Sequence, residues 1–236
     1  EVGWKQTVDE RLMFNAAAFF YQYHDQQVPV AEVQSDAATG QQIQVSVLTN
    51  LSEVENYGLE VEATWEPIDN LRFLANYSYL HAEIIKASLY ADVADPLALQ
   101  PEAQPVGPVV ANTQQQSVVG NTPPGSPEHK FSINGSYTYE TNLGDFIASA
   151  TWTYRSHSFQ TMFNTKQHLV EGGSLVDLRL TWNDKDSGLS IIGSVNNVFD
   201  AEVMTGFFTD SPARLSFQSL FLEPPRQFFL EVRYSY

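Results

Sequence analysis

The sequence predicts an all-β protein, an antiparallel segment of a transmembrane β-barrel with short periplasmic turns and long extracellular loops. Three observations predict this fold class. Apolar and polar residues alternate along most of the chain, the connections between the alternating segments are short and long in turn, and aromatic residues gather near the ends of the apolar faces. The alternation indicates strands with two unlike faces, because successive side chains of a strand point to opposite sides of the sheet.

About eight long strands carry this pattern, and Glu1–Lys5 resembles the end of a ninth. In the fourth strand, Phe131 and Ile133 lie on one face and Ser132 on the other. No segment of comparable length has the periodicity of an amphipathic helix. The eight predicted strands span approximately residues 11–28, 43–66, 70–86, 127–141, 144–158, 173–184, 187–198 and 225–236.

The connections alternate in length. The short ones are rich in Asp, Asn and Gly, which suit tight turns; they are Gln6–Glu10, Glu66–Asn70, Glu140–Gly144 and Asn183–Gly188. The long ones span approximately residues 29–42, 87–126, 159–172 and 199–224. The longest, 87–126, is rich in Pro and Gln and is expected to lack regular structure. The strand pattern resumes after it, so we interpret it as a loop and not as a domain linker.

Aromatic residues lie in two groups on the apolar faces. One group lies beside the short turns or the C-terminus: Trp65, Phe73, Tyr139, Phe146, Trp182, Tyr234 and Tyr236. The other lies nearer the long loops: Tyr79, Phe131, Trp152, Tyr154 and Phe199. Two aromatic belts around an apolar band are typical of a membrane barrel, because amphipathic rings prefer the headgroup level. A soluble sandwich would bury its large aromatic residues in mid-strand.

The opposite face carries charged residues within the strand bodies, as a water-filled lumen permits. Glu62 and Arg72 flank one turn and are expected to meet across it. Several strands are also longer than the five or six residues usual in soluble sheets. These features favour a membrane barrel over a sandwich.

Composition excludes several functions. The 236 residues include no cysteine, so disulfides, thiolate metal sites and a cysteine nucleophile are absent. The net charge of −16 argues against nucleic-acid binding. No Ser, His and Asp set has a supporting strand–turn–helix context, so we do not expect an enzyme. The N-terminus, Glu1–Lys5, lacks the basic start and apolar run of a signal peptide.

Several motifs, in order along the chain, resemble those near the end of TonB-dependent receptors. Glu1-Val2-Gly3-Trp4-Lys5 resembles the family's E-x-G-x-K strand, and Asn56-Tyr57-Gly58-Leu59-Glu60 its N-Y-G-x-E strand. Val195-Asn196-Asn197-Val198-Phe199-Asp200 resembles V-x-N-L-F-D, with Val198 in place of the usual Leu. Pro225-Arg226 resembles the pair that opens the last strand. The resemblance covers nearly the whole chain.

The resemblance implies an active-transport receptor in the outer membrane of a Gram-negative bacterium. Such a receptor takes up a scarce nutrient, for example a ferric siderophore, and is energised by TonB. Family barrels have about 22 strands around a plug domain, so residues 1–236 are expected to be the C-terminal portion of the barrel, without the plug. The partners implied are the lipid bilayer, the plug domain, TonB, the assembly machinery of the outer membrane and a small-molecule substrate that the sequence does not identify; no cofactor and no nucleic acid is implied.

In the family, the last strand ends in an aromatic residue that the assembly machinery reads. By position this signal maps to Tyr236, with Tyr234, Val232 and Leu230 behind it. The same rings also suit an aromatic belt.

Two other interpretations stay open at this point. One is a small complete barrel of eight strands with a structural, adhesive or enzymatic role, and the other is a soluble carbohydrate-binding β-sandwich. Ligand-binding residues are not identified. His157 and His168 bracket a predicted loop with Met162 between them, which suggests a metal-contacting loop, although their spacing is not that of a tight site. Aromatic residues of the loop 199–224 are candidates for stacking on a ligand or for packing the loop down: Phe207, Phe208, Phe217 and Phe221.

Overall fold

The computed structural model describes residues 1–35, 42–93, 115–209 and 218–235. The strands are β1 (Val2–Val8), β2 (Leu12–Ser35), β3 (Gln42–Ile68), β4 (Leu71–Lys86), β5 (Tyr90–Ala91), β6 (Gln115–Gln116), β7 (His129–Thr141), β8 (Gly144–Arg155), β9 (Ser158–Phe159), β10 (Leu169–Val170), β11 (Gly173–Asn183), β12 (Leu189–Asn196), β13 (Met204–Thr209), β14 (Gln218–Leu222) and β15 (Gln227–Tyr234), with one 3₁₀ turn at Lys166–His168. Among the described residues, no helix has the length and apolar character needed to cross a membrane.

Nine strands form one antiparallel sheet in the order β1-β2-β3-β4-β7-β8-β11-β12-β15. Each long strand pairs with the next long strand along the chain, so the sheet is an antiparallel meander. The strands β1 and β15 lie at opposite ends of the order, so the described sheet is open rather than a closed barrel. The predicted eight strands and the N-terminal stub are therefore confirmed, with boundaries that differ by a few residues except at the end of β2.

The tight turns depend on residues that tolerate a positive φ. Asn70 joins β3 to β4 with φ of 67°, a conformation that Asn adopts more readily than most residues. Gly144 follows the β7–β8 turn with φ of 124°, and a Cβ there would lie 2.4 Å from the carbonyl oxygen of Asn183. These turn residues explain why the connections at this end of the sheet are short.

The register confirms the two unlike faces. Trp65 pairs with Phe73, and Phe146 pairs with both Tyr139 and Trp182, all on the apolar face. In three strands the two aromatic belts are eight residues apart: Tyr57 and Trp65, Phe131 and Tyr139, Phe146 and Tyr154. Eight residues rise about 26 Å along a strand, or roughly 20 Å along the membrane normal at the usual tilt, comparable with the ~25 Å apolar band of outer-membrane barrels. We call this surface the lipid face.

The strand β2 extends beyond its predicted end at residue 28 to Ser35, so the prediction of a long loop over 29–42 was wrong for residues 29–35. The pairing continues without a change of register up to Ser35 and Gln42. Pro29 lies within this extended part of β2, where it pairs with Leu48 of β3.

The other long connections also contain short strands. β5 pairs with β6, β9 with β10, and β13 with β14. The expectation that 87–126 lacks regular structure was wrong for its described ends, because β5 and β6 pair there. Tyr90 of β5 also donates its hydroxyl to the carbonyl oxygen of Asn50 at 3.1 Å. The middle of that loop, residues 94–114, lies outside the described residues, as do 36–41 and 210–217.

The buried hydrophobic core of the chain lies at the end of the sheet that carries the long loops. It is formed by Val28, Val30, Leu51, Val54, Ile84, Val118 and Met162. Asp25, with φ of 56°, distorts the hairpin where β2 and β3 leave the level of the aromatic belt. Below this point Val54 is the covered residue of β3, and above it Leu51 is, so the covered face switches from even to odd residues. This switch lets the hairpin turn an apolar surface toward the loops.

Candidate functional site

The polar face of the nine-stranded sheet, which we call the lumen face, is the first candidate for contact with a ligand. A groove of about 640 Å³ crosses β1, β2, β3, β4 and β7. Lys5, Glu60 and Lys130 are among its lining residues, so charges of both signs are present. Asn15 donates from Nδ2 to Oε2 of Glu62 at 3.1 Å. This face is therefore a hydrated, hydrogen-bonding wall and not an apolar core.

The expected contact between Glu62 and Arg72 does not form. Arg72 Nε lies 3.6 Å from Oε1 of Glu66, with both side chains about half exposed. The register explains the difference, because Glu62 lies opposite Asn76 while the β3–β4 pairing shifts between Trp65 and Ile68 near the turn. An exposed ion pair of this kind contributes little stability.

A second polar groove of about 440 Å³ lies on the same face across β7, β8, β11 and β12. Within it, Asn134 donates from Nδ2 to Oγ1 of Thr151 at 2.8 Å. Asp177 accepts a hydrogen bond on Oδ1 from the backbone N–H of Asn197 at 2.8 Å, which ties β11 to the end of β12. The polar lining thus continues from β1 to β12.

Three aromatic residues interrupt the polar lining on β2. Phe19, Tyr21 and Tyr23 pair with Gly58, Asn56 and Val54, on the same side of the sheet as Glu60. We call these three residues the aromatic ladder. The alternation along β2 does not single them out, because Phe20 between them makes the run apolar on both faces. Their spacing of two residues was the available signal.

The extracellular connections hold each other in place through backbone and side-chain hydrogen bonds. Asn164 accepts the N–H of Thr122 on Oδ1 at 2.6 Å and donates from Nδ2 to the carbonyl oxygen of Thr122 at 2.9 Å. Asn121 donates from Nδ2 to the carbonyl oxygen of Met162 at 2.9 Å. These bonds join the loop before β7 to the loop after β8. The described parts of the two loops therefore form one cap at the rim of the sheet.

His168 is the buried polar centre of this cap. Its Nδ1 lies 2.8 Å from Oγ1 of Thr161, 3.1 Å from Oγ1 of Thr165 and 3.4 Å from Oδ2 of Asp92. The ring stacks on Phe207 with an interplanar angle of 11°. Burial lowers the pKa of His168 from 6.5 to about 4. Burial is the cause of this lowered pKa, and only about 2% of the His168 side chain is exposed.

The hypothesis of a metal-contacting loop gains no support from this arrangement. Met162 and His168 are each 1% exposed, and Nδ1 of His168 already contacts the two threonine hydroxyls. His157 is exposed, with its ring against Phe159. In the part of the chain that the structure describes, no group of three or more His, Asp or Glu side chains is placed to share a metal ion.

The aromatic residues of the last loop divide between the two roles considered for them. Phe207 is 5% exposed and packs on His168, so it holds the loop down. Phe208 and Phe221 are more than half exposed, at 59% and 55%. Phe217 lies outside the described residues.

The residues of the expected assembly signal lie on β15. Leu230, Val232 and Tyr234 pair with Gly193, Ile191 and Leu189 of β12, on the lipid face, and are 63–77% exposed. Tyr236 lies outside the described residues. The signal itself stays a prediction.

Comparison with known proteins identifies the family. Residues 1–198 match the family described as TonB dependent receptor-like, beta-barrel. The chain belongs to this family. No curated protein is significantly similar to the chain in sequence. This membership replaces the β-sandwich interpretation, and the open sheet of nine strands does not fit a complete barrel of eight.

Solved structures share the fold. The ferric yersiniabactin uptake receptor FyuA from Yersinia pestis matches 98% of this chain with a TM-score of 0.68 and 15% identity. The siderophore receptor PiuA from Acinetobacter baumannii matches 99% with a TM-score of 0.66 and 17% identity. The copper transporter OprC matches 99% with a TM-score of 0.61 and 14% identity. The chain spans 27–30% of the length of these three proteins.

Barrels of this family lie in the outer membrane of Gram-negative bacteria, and their role is transport and not enzymatic catalysis. The chain is accordingly a segment of an outer-membrane barrel wall. Its lipid face contacts the bilayer, and its lumen face lines the interior of the barrel.

Proposed function

We propose that this chain supplies barrel wall, lumen lining and extracellular loops to a TonB-energised receptor that imports a scarce metal chelate such as a ferric siderophore. The observation that supports this most directly is the nine-stranded meander with a lipid face and a lumen face that is polar along most of its strands, in a chain that matches the receptor family over residues 1–198.

The chain is proposed to be the C-terminal portion of that barrel. It covers 28% of FyuA, a ferric yersiniabactin uptake receptor. A plug domain and the segment that contacts TonB are then supplied by other parts of the same protein. The proposed substrate class is supported by likeness of fold to FyuA and PiuA, two siderophore receptors, and to the copper transporter OprC.

The test is uptake of radioactive iron by iron-starved cells that carry or lack the complete receptor gene. We expect deletion to abolish import of one class of ferric chelate, and expect the same loss when TonB is removed from cells that keep the receptor. A plasmid copy of the receptor should restore import only in cells with TonB. Unchanged import of every ferric chelate after deletion would contradict the proposal, and loss of copper import alone would replace iron by copper as the cargo.

A further inference from the structure

Tyrosine and histidine rings meet in pairs on the lipid face, at the outer aromatic belt, which is the belt nearer the long loops. Tyr57 of β3 and His81 of β4 are register partners, and their rings stack with centroids 4.6 Å apart and an interplanar angle of 23°. Tyr79 of β4 and His129 of β7 are register partners as well, with centroids 5.4 Å apart. We call these four residues the outer ring cluster. It spans three neighbouring strands.

The two histidines distinguish this cluster from an ordinary aromatic belt. Belts are built from Trp and Tyr, whereas ionisable groups that face a bilayer are costly and commonly functional. The His81 and His129 side chains are 37% and 41% exposed. Nε2 of His81 lies 3.4 Å from Oε2 of Glu83, and Nε2 of His129 lies 4.0 Å from Oε2 of Glu128. The surface therefore presents hydrogen-bonding groups beside flat rings, at the level of the lipid headgroups.

A small polar hollow adjoins the cluster on its extracellular side. Its volume is about 270 Å³, slightly below the range of about 300–1,000 Å³ that holds drug-sized ligands. His81 and Glu128 both line it, so the ring surface and the hollow are continuous. Thr122, Ser126 and Ser158 add hydroxyl groups to the lining. The size and the lining suit one polar ring with several hydroxyl groups.

Backbone hydrogen bonds fix the walls of the hollow. The N–H of Leu80 donates to the carbonyl oxygen of Glu128 at 2.9 Å, and the N–H of Ser156 donates to the carbonyl oxygen of His129 at 2.8 Å. Oγ of Ser156 accepts the N–H of His129 at 3.0 Å. The segment before β7 is thus tied to β4 on one side and to the end of β8 on the other. A site preset in this way costs little ordering when a ligand binds.

Charge and placement select one kind of occupant. The lipid face contacts the bilayer, so the molecule that reaches the cluster is a lipid. The carboxylates of Glu83 and Glu128 disfavour a phosphate group at the cluster. Sugar hydroxyl groups can donate to these carboxylates and accept from imidazole or hydroxyl groups, and the C–H face of a sugar packs on the electron-rich face of an aromatic ring. An ammonium group needs acceptors alone and would fill only part of the hollow.

We propose that the outer ring cluster and the adjoining hollow bind the sugar headgroup of a glycolipid in the outer leaflet. One sugar ring packs on the Tyr57 and His81 pair, and its hydroxyl groups bond to Glu83 and Glu128. A bound glycolipid would anchor this side of the barrel in the outer leaflet. The inference goes beyond import, because it holds whatever cargo the receptor carries.

The test is lipid binding to the purified complete receptor in detergent, measured by native mass spectrometry. Three lipids are compared. Monophosphoryl lipid A carries a glucosamine disaccharide and a phosphate, phosphatidylglycerol carries a phosphate without a sugar, and phosphatidylethanolamine carries an ammonium group. We expect monophosphoryl lipid A to bind at least about ten-fold more tightly than either phospholipid, as one ring contact and one hydrogen bond together provide.

Variants separate the cluster from the rest of the lipid face. Tyr57→Ala and Glu128→Gln should each weaken binding of monophosphoryl lipid A about two- to ten-fold and leave phosphatidylglycerol unchanged. Tyr57→Phe should retain binding because it keeps the ring. Tyr139→Ala is the control for Tyr57, because Tyr139 is an exposed tyrosine of the lipid face at the other belt. Glu140→Gln, at an exposed residue of the periplasmic end, is the control for Glu128.

The other outcomes each overturn the inference. Equal affinity for monophosphoryl lipid A and phosphatidylglycerol would show that the sugar is not recognised, and tighter binding of phosphatidylethanolamine would assign the cluster to an ammonium headgroup. Equal weakening by Tyr57→Ala and Tyr139→Ala would show that any belt ring serves. Melting temperatures are measured for every variant. If Tyr57→Ala fails to fold, the comparison of Glu128→Gln with Glu140→Gln decides, and equal affinity of these two variants refutes the site.

Discussion

Gly58 is a single residue whose identity is decided by its neighbours across the sheet. It stands in the Asn56–Glu60 motif, and the sequence alone offers no reason for a glycine in mid-strand, where glycine costs entropy. The reason lies in β2 and β4, because Phe19 and the carbonyl oxygen of Tyr79 occupy the space of a side chain.

Gly58→Ala is therefore expected to destabilise the receptor by about 1–3 kcal/mol, as overpacking of a close contact does. Gly193→Ala is the control, because a Cβ at Gly193 meets no atom within 4 Å. Urea unfolding of the purified complete receptor in detergent measures both. Equal stability of the two variants would contradict the close approach at Gly58.

The stability of the closed cap depends on pH through the protonation of His168. Burial lowers its pKa to about 4 from an ordinary 6.5, so an opened cap, with His168 in water, takes up a proton more readily than the closed cap does. Stability of the closed cap is therefore complete above about pH 6.5 and is lost as the pH falls toward 4. Asp92 is the other titratable group that faces the ring, with Oδ2 at 3.4 Å from Nδ1 of His168.

Hydrogen exchange of residues 159–170 in the complete receptor should accordingly increase on acidification from pH 7 to 4, after correction for intrinsic rates. His168→Asn keeps a polar group for the threonine hydroxyls but does not titrate in this range, so its exchange should depend less on pH. The β7–β8 turn, at residues 141–144, serves as the internal reference. A pH-independent exchange in the wild-type loop would refute the argument.

The extracellular connections behave as elements with their own structure, because hydrogen bonds join one loop to the next. Asn164 makes two of these bonds to Thr122 and has a φ of 53°. An Asn accepts this left-handed conformation at lower cost than an alanine does. The hydrogen bonds to Thr122 and the tolerance of the left-handed conformation therefore both come from the Asn164 side chain.

Asn164→Ala should raise the exchange rate and protease sensitivity of both loops, with a loss of about 1–3 kcal/mol of local stability. Asn164→Gly removes the same bonds but relieves the backbone conformation, so it should lose less. The two variants together separate hydrogen bonding from backbone strain. Identical effects of the two would show that the left-handed conformation costs nothing here.

The last strand, β15, is the element expected to carry the assembly signal. Leu230, Val232 and Tyr234 lie on the lipid face of β15. Tyr236→Ala in the complete receptor should lower the amount of assembled protein in the outer membrane, because the terminal aromatic residue is then missing. The ratio of assembled to total receptor on gels of heated and unheated samples measures this. Leu222→Ala, an exposed apolar residue of the loop strand β14, is the control and should assemble normally.

The whole sheet is open, with Trp4 on β1 and Phe228 on β15 at its two ends, 60% and 74% exposed. Unpaired strand edges of this length invite pairing with other chains. The polypeptide 1–236 expressed alone should therefore form oligomers or aggregates, in detergent as well as without it. Analytical ultracentrifugation distinguishes these from a monomer. A monodisperse monomer without detergent that melts cooperatively would contradict the membrane-wall interpretation.

The sequence by itself determined the strands, the turns and the two faces of the sheet. Period-two alternation reports which residues share a face, and residues such as Asn70 report a tight turn, because both depend on local backbone geometry. For the same reason the positions of the aromatic belts and the charged lumen face were predictable. The motifs shared with TonB-dependent receptors then indicated a role in transport.

Only the tertiary structure decided what packs against what. It showed that Arg72 meets Glu66, that Met162 and His168 lie buried in the loop cap, and that Phe19 rests on Gly58. The contact of Phe19 with Gly58 joins two strands, and that of Arg72 with Glu66 depends on the register shift near the turn, so no local pattern encodes them. The length of β2 was underestimated for a related reason, since its pairing with β3 up to Ser35 and Gln42 depends on both strands together.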